Sequence, residues 1–233
     1  MDENEKKALT ELYENRLNKY GRDVKTVGWR SRPQQIARFE ALVKIADLHN
    51  KTLLDIGCGF GELYDFLISK EVKLKYYKGF DLSAKLVEKA IQIHSKVNNV
   101  EFEVLDILKE NNLDEKYDFV IASGIFSFPI KDNQVHLYEM LKKMYEICKL
   151  GVAVNMPTSY VDFKEKNLYY FVPETVFGFC KNITKRVSLI HDYMPYEFTI
   201  YLYKDQTIDE DHVFSEFRIN SKIDRTMKKI NFS

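Results

Sequence analysis

Short apolar runs alternate with amphipathic segments between Thr52 and Met156, and no other feature of the chain restricts its fold so strongly. Five runs of strand length follow one another: residues 52–56, 76–80, 100–105, 117–122 and 152–156. The first is mostly apolar, whereas residues 100–105 largely alternate apolar and charged residues. The segments between them carry apolar residues at spacings of three and four, which is typical of helices that bury one face. Strands that alternate with helices in this way predict a parallel sheet with helices on both faces.

The pattern changes beyond Met156. Residues 186–191 and 197–203 are two further strand-like runs, and the short connection between them favours an antiparallel pair. The predicted fold class is therefore α/β, with a doubly wound, mostly parallel seven-stranded sheet and an antiparallel terminal hairpin. We also expect Gly151 to end the helix before the fifth strand, because glycine commonly interrupts a helical pattern.

The chain divides into three parts. Its 233 residues are enough for one large domain, and the sequence has no internal repeat or low-complexity linker. We expect an N-terminal helical cap over residues 1–48, a ligand-binding core over residues 49–204 and a C-terminal extension over residues 205–233. No pattern in the extension predicts a role for it.

Composition excludes several classes of protein. Lys and Arg number 35, as do Asp and Glu, so the formal net charge is zero, whereas proteins that bind nucleic acid through phosphates usually carry a basic excess. No apolar run approaches the roughly 18–20 residues that span a bilayer, and the charged N-terminus leads into no signal-like segment. The three cysteines lack CxxC spacing, which is typical of a reducing cytosol and supplies no zinc site. We expect a cytoplasmic protein that binds no nucleic acid, membrane or metal ion.

A glycine-rich loop follows the first predicted strand and reads Asp55-Ile56-Gly57-Cys58-Gly59-Phe60-Gly61. In doubly wound sheets, ligands bind at the carboxyl ends of the strands, near the point where strand order reverses. The loop departs from the dinucleotide fingerprint GxGxxG, because its third glycine comes one position early, and it lacks the GK[ST] ending of a P-loop. The Asp55 carboxylate would repel a pyrophosphate but suits a positively charged ligand.

The next strand ends supply further polar groups on the same side of the predicted sheet. Asp81 ends the second strand, where a carboxylate can accept hydrogen bonds from ribose hydroxyls. Asp106 and Ile107 end the third strand and could contact an adenine edge. Ser123 ends the fourth strand beside the same cleft.

These segments together resemble the motifs of class I S-adenosylmethionine (SAM)-dependent methyltransferases. DIGCGFG over residues 55–61 is similar to the family's DxGxGxG motif, and Phe80-Asp81-Leu82-Ser83 resembles its ribose-binding motif. Leu105-Asp106-Ile107 resembles the adenine-side motif, and Tyr117-Asp118-Phe119-Val120-Ile121 resembles the fourth strand. Within the class, the chain resembles small-molecule enzymes of the trans-aconitate methyltransferase type.

The resemblance implies a set of cofactor-binding residues. It places Asp55 near the methionine part of SAM, Gly57 and Gly59 against the cofactor, Asp81 at the ribose hydroxyls, and Asp106 and Ile107 at the adenine. Other residues expected at the same site are Cys58, Gly61, Leu82 and Ser123. Arg38 on the N-terminal cap could meet the SAM carboxylate, although a surface salt bridge is an equal alternative. Cys58 itself is best explained as a small apolar filler.

The acceptor side of the site is less well marked. By resemblance, the terminal hairpin borders the acceptor cleft, so His191 and Glu197 are candidates for a general base. Tyr160, Tyr193 and Tyr196 could line a pocket for a flat or cationic acceptor, although core packing explains most of the aromatic residues. His94 and His136 fall on predicted helices, where we expect surface positions.

The predicted reaction transfers the SAM methyl group to a small-molecule acceptor by in-line displacement and releases S-adenosylhomocysteine. The sequence after the fourth strand, Ala122-Ser123-Gly124-Ile125, lacks the [ND]PP[YF] motif of adenine-N6 and glutamine methyltransferases. Two alternatives stay open at this point. One is an NAD(P)-dependent oxidoreductase on a similar sheet, and the other is a non-catalytic SAM-binding partner protein. The sequence also leaves open the oligomeric state and whether O, N, C or S is methylated.

Overall fold

The computed structural model of the protein describes residues 1–110, 113 and 116–220. The described helices are α1 (Glu3–Tyr20), α2 (Arg32–Val43), α3 (Glu62–Ser69), α4 (Ala84–Ile93), α5 (Asn133–Ile147), α6 (Pro173–Ile183) and α7 (Ser215–Asn220). The described strands are β1 (Thr52–Ile56), β2 (Tyr76–Asp81), β3 (Val100–Val104), β4 (Tyr117–Ala122), β5 (Cys148–Pro157), β6 (Val187–Met194) and β7 (Glu197–Tyr203).

The strands form one seven-stranded sheet in the order β3-β2-β1-β4-β5-β7-β6. Strands β1 to β5 pair in parallel, whereas β7 is antiparallel to both of its neighbours, β5 and β6. The predicted fold class is therefore confirmed. The chain leaves β1 toward β2 on one side and reaches β4 on the other side, so strand order reverses between β1 and β4. A ligand site is expected above the carboxyl ends of these two strands.

Helices cover both faces of the sheet and bury a separate apolar cluster on each. On one face, α5 packs with Leu137, Leu141 and Met144 fully buried. On the other face, the cluster includes Leu42 of α2 and Leu67 of α3. Because both faces of β1 and β4 are covered, these strands are apolar along almost their whole length, as the sequence pattern indicated.

The expectation that Gly151 ends a helix is wrong. Helix α5 ends at Ile147, and Gly151 lies inside β5. A Cβ atom at this position would lie 3.0 Å from the carbonyl oxygen of Leu202 and 3.1 Å from Cδ1 of Ile45. Glycine is therefore used here for close packing, and its local signal resembles that of a helix end.

Residues 1–48 and the described residues 205–220 contribute no strand to the sheet. Helices α1 and α2 belong to the region predicted as a helical cap, and α1 buries none of its residues. A capping box at Asp2 and Glu5 starts α1. Of the predicted C-terminal extension, residues 205–220 include α7, whereas residues 221–233 lie outside the described residues. None of the described helices is long and apolar enough to cross a membrane.

Candidate active site

A cavity lies over the carboxyl ends of β1, β2, β3 and β4, at the point where strand order reverses. The structure brings together here nine of the residues predicted to bind the cofactor: Asp55, Gly57, Cys58, Gly59, Asp81, Leu82, Asp106, Ile107 and Ser123. Gly61 is the N-cap of α3, next to the cavity residue Glu62. Residues from four separate strand ends therefore converge on one space.

The glycine loop requires glycine for two different reasons. Gly57, Gly59 and Gly61 have φ values of 75°, 55° and 81°, in the left-handed region that favours glycine. A Cβ atom on Gly57 would also collide with the side chain of Ile125. The amides of Gly57 and Cys58 both donate to the carbonyl oxygen of Phe80, at 2.7 and 3.0 Å, which fixes the loop against the end of β2.

Asp81 is held against the glycine loop by backbone hydrogen bonds. Its carboxylate accepts from the amide of Gly59 at 3.0 Å and from the amide of Ser83 at 2.9 Å. Burial raises the pKa of this carboxyl, while the two amides favour the charged form and oppose the shift. Each carboxylate oxygen keeps a lone pair beyond these bonds, so Asp81 can still accept from hydroxyl groups in the cavity.

Asp55 is almost completely buried at the end of β1 and accepts a hydrogen bond from the Tyr77 hydroxyl at 2.6 Å. Burial raises its pKa to about 7; the Tyr77 hydrogen bond opposes the rise, and the charges of Asp81 and Glu62 add to it. The carboxyl is thus partly protonated near neutral pH, and a cation in the cavity would favour its ionised form.

Asp106 differs from the other two aspartates because the N-terminal helix already engages it. Lys6 of α1 forms an ion pair with Asp106 at 2.6 Å, and the amide of Leu108 donates to the same carboxylate at 3.1 Å. Both charged side chains are partly buried, with 16% and 18% exposed. Asp106 therefore connects the cavity wall to α1.

Helix α1 and residues 22–31 cover the cavity, and we call these two segments the roof. Leu9, Thr10 and Tyr13 line the cavity from α1, and Val27 and Trp29 line it from residues 22–31. Met1, which precedes α1, also lines it. The Trp29 ring lies so close to Gly124 that a Cβ atom there would collide with it. Because α1 buries none of its residues, ion pairs fasten much of the roof: Lys6–Asp106, Glu3–Lys109, Glu14–Lys85 and Arg22–Asp65.

A polar network on the cavity wall was not anticipated from the sequence. The buried side chain of Gln35 donates to Glu62 at 2.8 Å, and Arg32 donates to both Gln35 and Glu62, at 2.7 and 3.1 Å. Pro33 lies beside Arg32 in the first turn of α2, where proline is well tolerated. One sequence signal could have indicated this network. The carboxylate of Glu62 directly follows the last glycine of the loop, and a buried carboxylate needs a polar partner.

Arg38 and Glu197 form an ion pair with each other, with side chains only 11% and 5% exposed. Arg38 does form a salt bridge, as one alternative expected, but the expectation of a surface position is wrong. The pair is buried between α2 and β7. Arg38 also lies 4.2 Å from the centre of the Trp29 ring, and its Nη1 donates to the backbone oxygen of Gln34 at 2.9 Å. Its proposed contact with the SAM carboxylate and the general-base role of Glu197 stay predictions.

The other residues predicted on the acceptor side lie near the hairpin and are not among the described residues that line the cavity. Tyr160 and Tyr196 are exposed, and their hydroxyls donate to Glu174 and Asp162. The Tyr193 hydroxyl accepts from Thr199 at 3.0 Å.

The His191 ring lies 6.3 Å from the rings of both Tyr160 and Phe198, and its buried Nε2 has no hydrogen-bond partner among the described residues. Its catalytic role stays a prediction.

The expectation of surface positions is wrong for both helical histidines. His94 is buried and bonds to the backbone oxygen of Ala90 at 2.9 Å and to Asp65 at 3.0 Å. His136 is half-buried on α5 and lines the cavity. Helical periodicity alone cannot show which neighbouring loop will cover a helix face.

The hydrogen-bond acceptors that line the cavity fit a cofactor that carries positive charge and hydroxyl groups. The carboxylates of the cavity come from Asp55, Glu62, Asp81 and Asp106. Such a lining would repel a pyrophosphate, whereas it matches the sulfonium, ammonium and ribose hydroxyl groups of SAM. The positive-φ glycines beside it leave room for close approach of a ligand to the main chain. No group of three His, Cys, Asp or Glu side chains within the described residues could hold a metal ion.

Comparison with known proteins also indicates a methyltransferase. The model of the family described as "Methyltransferase domain" matches residues 47–196. A protein of Mycobacterium tuberculosis named "Putative methyltransferase Rv1506c" is 33% identical over 158 residues, which are 64% of this chain and 91% of that protein.

Two solved structures share the fold at low sequence identity. A SAM-dependent methyltransferase from Aquifex aeolicus has a TM-score of 0.57 and 18% identity, covering 78% of this chain and 98% of that one. Magnesium protoporphyrin IX methyltransferase from Synechocystis PCC 6803, solved with bound SAM, has a TM-score of 0.52 and 18% identity, covering 73% and 78%.

The chain belongs to the methyltransferase family. It is a class I SAM-dependent methyltransferase, so SAM is its cofactor and the reaction requires a methyl acceptor. This decides against the NAD(P)-dependent oxidoreductase and the non-catalytic binding protein, the two alternatives that the sequence left open.

Proposed function

We propose that the enzyme methylates a small-molecule acceptor inside the cavity. The observation that carries this proposal is the roof. Helix α1 and residues 22–31 lie over the glycine loop, with Val27 3.0 Å from the position of a Cβ atom on Gly59. A folded protein or a nucleic acid would have to displace the roof to reach this loop, whereas a small acceptor can be enclosed beneath it. The zero net charge of the chain also disfavours a nucleic-acid acceptor.

We propose that the cofactor lies along the strand ends in the order set by the aspartates. Asp81 accepts hydrogen bonds from the ribose hydroxyls, and Asp55 and the Glu62 network face the charged methionine end. Asp106 and Ile107 face the adenine, where Ile107 offers an apolar surface. Gly57 and Gly59 allow the backbone to approach the cofactor closely. When bound, SAM supplies a methyl group on a sulfonium centre that is itself the leaving group.

The residues of this chain then contribute positioning and the exclusion of water. An acceptor held behind the methyl carbon loses little further freedom on reaction, and such positioning can supply about 7–11 kcal/mol of the barrier. Trp29 and Ile125 lie over Gly124 and Gly57, where they narrow the space beside the cofactor. A closed roof also limits the access of water to the reacting atoms.

A size-fractionated extract tests the class of acceptor. Purified enzyme and SAM are mixed with either the low-molecular-mass filtrate or the retentate of a cell extract, and S-adenosylhomocysteine release is measured. We expect release with the filtrate, and less release from the variant Asp81→Ala at the same, subsaturating SAM concentration. Release that depends only on the retentate and disappears after protease or nuclease treatment would contradict a small-molecule acceptor.

A further inference from the structure

One histidine on the cavity wall has no part in the site described so far. His136 lies on α5, lines the cavity and is half-buried. Its Nδ1 atom is enclosed and has no hydrogen-bond partner among the described residues. The ring packs 6.3 Å from that of Phe126, on the sheet face that also contains Ile107. Buried polar atoms are usually paired, so this arrangement requires an explanation.

The proton of this imidazole is placed by its surroundings. The pKa of His136 is lowered to about 4: burial is the largest cause, the N-terminal amino group and Lys6 contribute to the lowering, and Asp106 and Glu5 oppose it. The ring is therefore neutral near pH 7 and carries one N–H group. An enclosed N–H without an acceptor is rarer and more costly than an enclosed lone pair. The proton accordingly belongs on Nε2, which leaves Nδ1 as the enclosed lone pair.

We propose that His136 is an adenine-binding residue whose Nε2–H donates to a ring nitrogen of the purine. Asp106 lies on the same side of the cavity and offers the complementary acceptor for the exocyclic amine. A donor and an acceptor together match the edge of adenine, whose ring nitrogens accept and whose amine donates. The inference rests on the proposed placement of the cofactor and is independent of the identity of the acceptor.

Deaza analogues test this contact atom by atom. S-adenosylhomocysteine and its 1-deaza, 3-deaza and 7-deaza forms are titrated calorimetrically into the wild-type protein, His136→Leu and His136→Gln. We expect one deaza form to bind wild type about tenfold more weakly than the parent, which corresponds to one net hydrogen bond. His136→Leu should bind that form and the parent equally, and His136→Gln should restore part of the difference. Glu139→Gln, on the exposed face of α5, is the control and should behave as wild type.

The possible failures are distinguishable. Equal binding of all three deaza forms and the parent to wild type would overturn the inference, even if His136→Leu did not fold. A deaza preference that persists unchanged in His136→Leu would assign the hydrogen bond to another group. If S-adenosylhomocysteine itself did not bind wild type, the placement of the cofactor would fail instead. None of these outcomes depends on whether the extract experiment finds a small acceptor.

Discussion

Arg38 of α2 and Glu197 of β7 form a buried ion pair between that helix and the sheet, and Arg38 also contacts Trp29 of the roof. Their side chains are 11% and 5% exposed, and the guanidinium of Arg38 lies against the Trp29 ring. Trp29 in turn lies over Gly124 at the end of β4. The pair therefore positions an aromatic side chain that narrows the cavity.

Removal of one charge from this pair should be costly. In Glu197→Gln, Arg38 keeps its charge in a buried position without a carboxylate partner, so we expect a loss of about 3–5 kcal/mol in the free energy of unfolding. The matched control is Glu40→Gln, which breaks the Lys70–Glu40 pair, whose side chains are 53% and 46% exposed. That exposed pair should contribute less than about 1 kcal/mol. Urea denaturation measures both, and equal losses in the two variants would contradict the structural role of Arg38 and Glu197.

The fluorescence of Trp29 should report occupation of the cavity. The chain has one tryptophan, and its indole lies in the roof against Gly124. Binding of S-adenosylhomocysteine should change the polarity around the indole, so the emission maximum or intensity should change with the same dissociation constant that calorimetry gives. Saturation by calorimetry without any change in emission would show that Trp29 does not face the bound cofactor.

Asp55 should make the ligand-free protein less stable as the pH rises. Its pKa is raised from 3.8 to about 7 in the folded state, so between about pH 4 and pH 7 the folded protein binds a proton that the unfolded chain has lost. The free energy of unfolding therefore falls as the pH rises through this window and is lowest above pH 7. Asp55→Asn removes the ionisation, while its side-chain oxygen can still accept from Tyr77.

We expect Asp55→Asn to be more stable than wild type at pH 8, by on the order of 1–4 kcal/mol, with a smaller difference at pH 5. The same variant should bind S-adenosylhomocysteine more weakly, because it lacks the carboxylate that we place beside the ammonium group. Thermal unfolding at the two pH values and one calorimetric titration test both statements. A stability difference between the variant and wild type that does not change with pH would contradict the raised pKa of Asp55.

The roof should open more easily when its contact with the adenine side is removed. Lys6 is 16% exposed and pairs with Asp106 at 2.6 Å, whereas Lys7 is 76% exposed and lies 3.9 Å from Glu11. We expect Lys6→Met to increase amide hydrogen exchange in α1, and Lys7→Met to leave it unchanged. Equal exchange in the two variants would mean that other contacts hold α1 in place.

The sheet and the cofactor side of the site were predictable because both depend on local sequence signals. Most strands of the parallel region are short, mainly apolar runs, and a glycine or an aspartate lies at or just after the carboxyl ends of β1 to β4, which the topology brings to one edge of the sheet. Asp55, Asp81 and Asp106 are far apart in the sequence, yet parallel pairing places them beside one cavity. The predicted bounds of β4 and β7, residues 117–122 and 197–203, agree with the structure.

The remaining features depend on tertiary contacts that no local pattern reveals. Arg38 and Glu197 were candidates for two separate roles, and only the packing of α2 on β7 shows that they neutralise each other. Gly151 has the local signal of a helix end but serves close packing within β5. His136 lies on an amphipathic helix, and it lines the cavity together with Asp106 while its ring packs near that of Phe126.

The most direct test of the account is the affinity of Asp81→Ala for S-adenosylhomocysteine, measured by calorimetry next to wild type. The carboxylate of Asp81 is fixed by the amides of Gly59 and Ser83, and we place it at the ribose hydroxyls. Loss of the charge-assisted hydrogen bonds between Asp81 and the ribose hydroxyls should weaken binding by about 1–3 kcal/mol. Wild type should show no binding of NADH. Unchanged affinity in a folded Asp81→Ala protein would contradict the placement of the cofactor at this edge of the sheet.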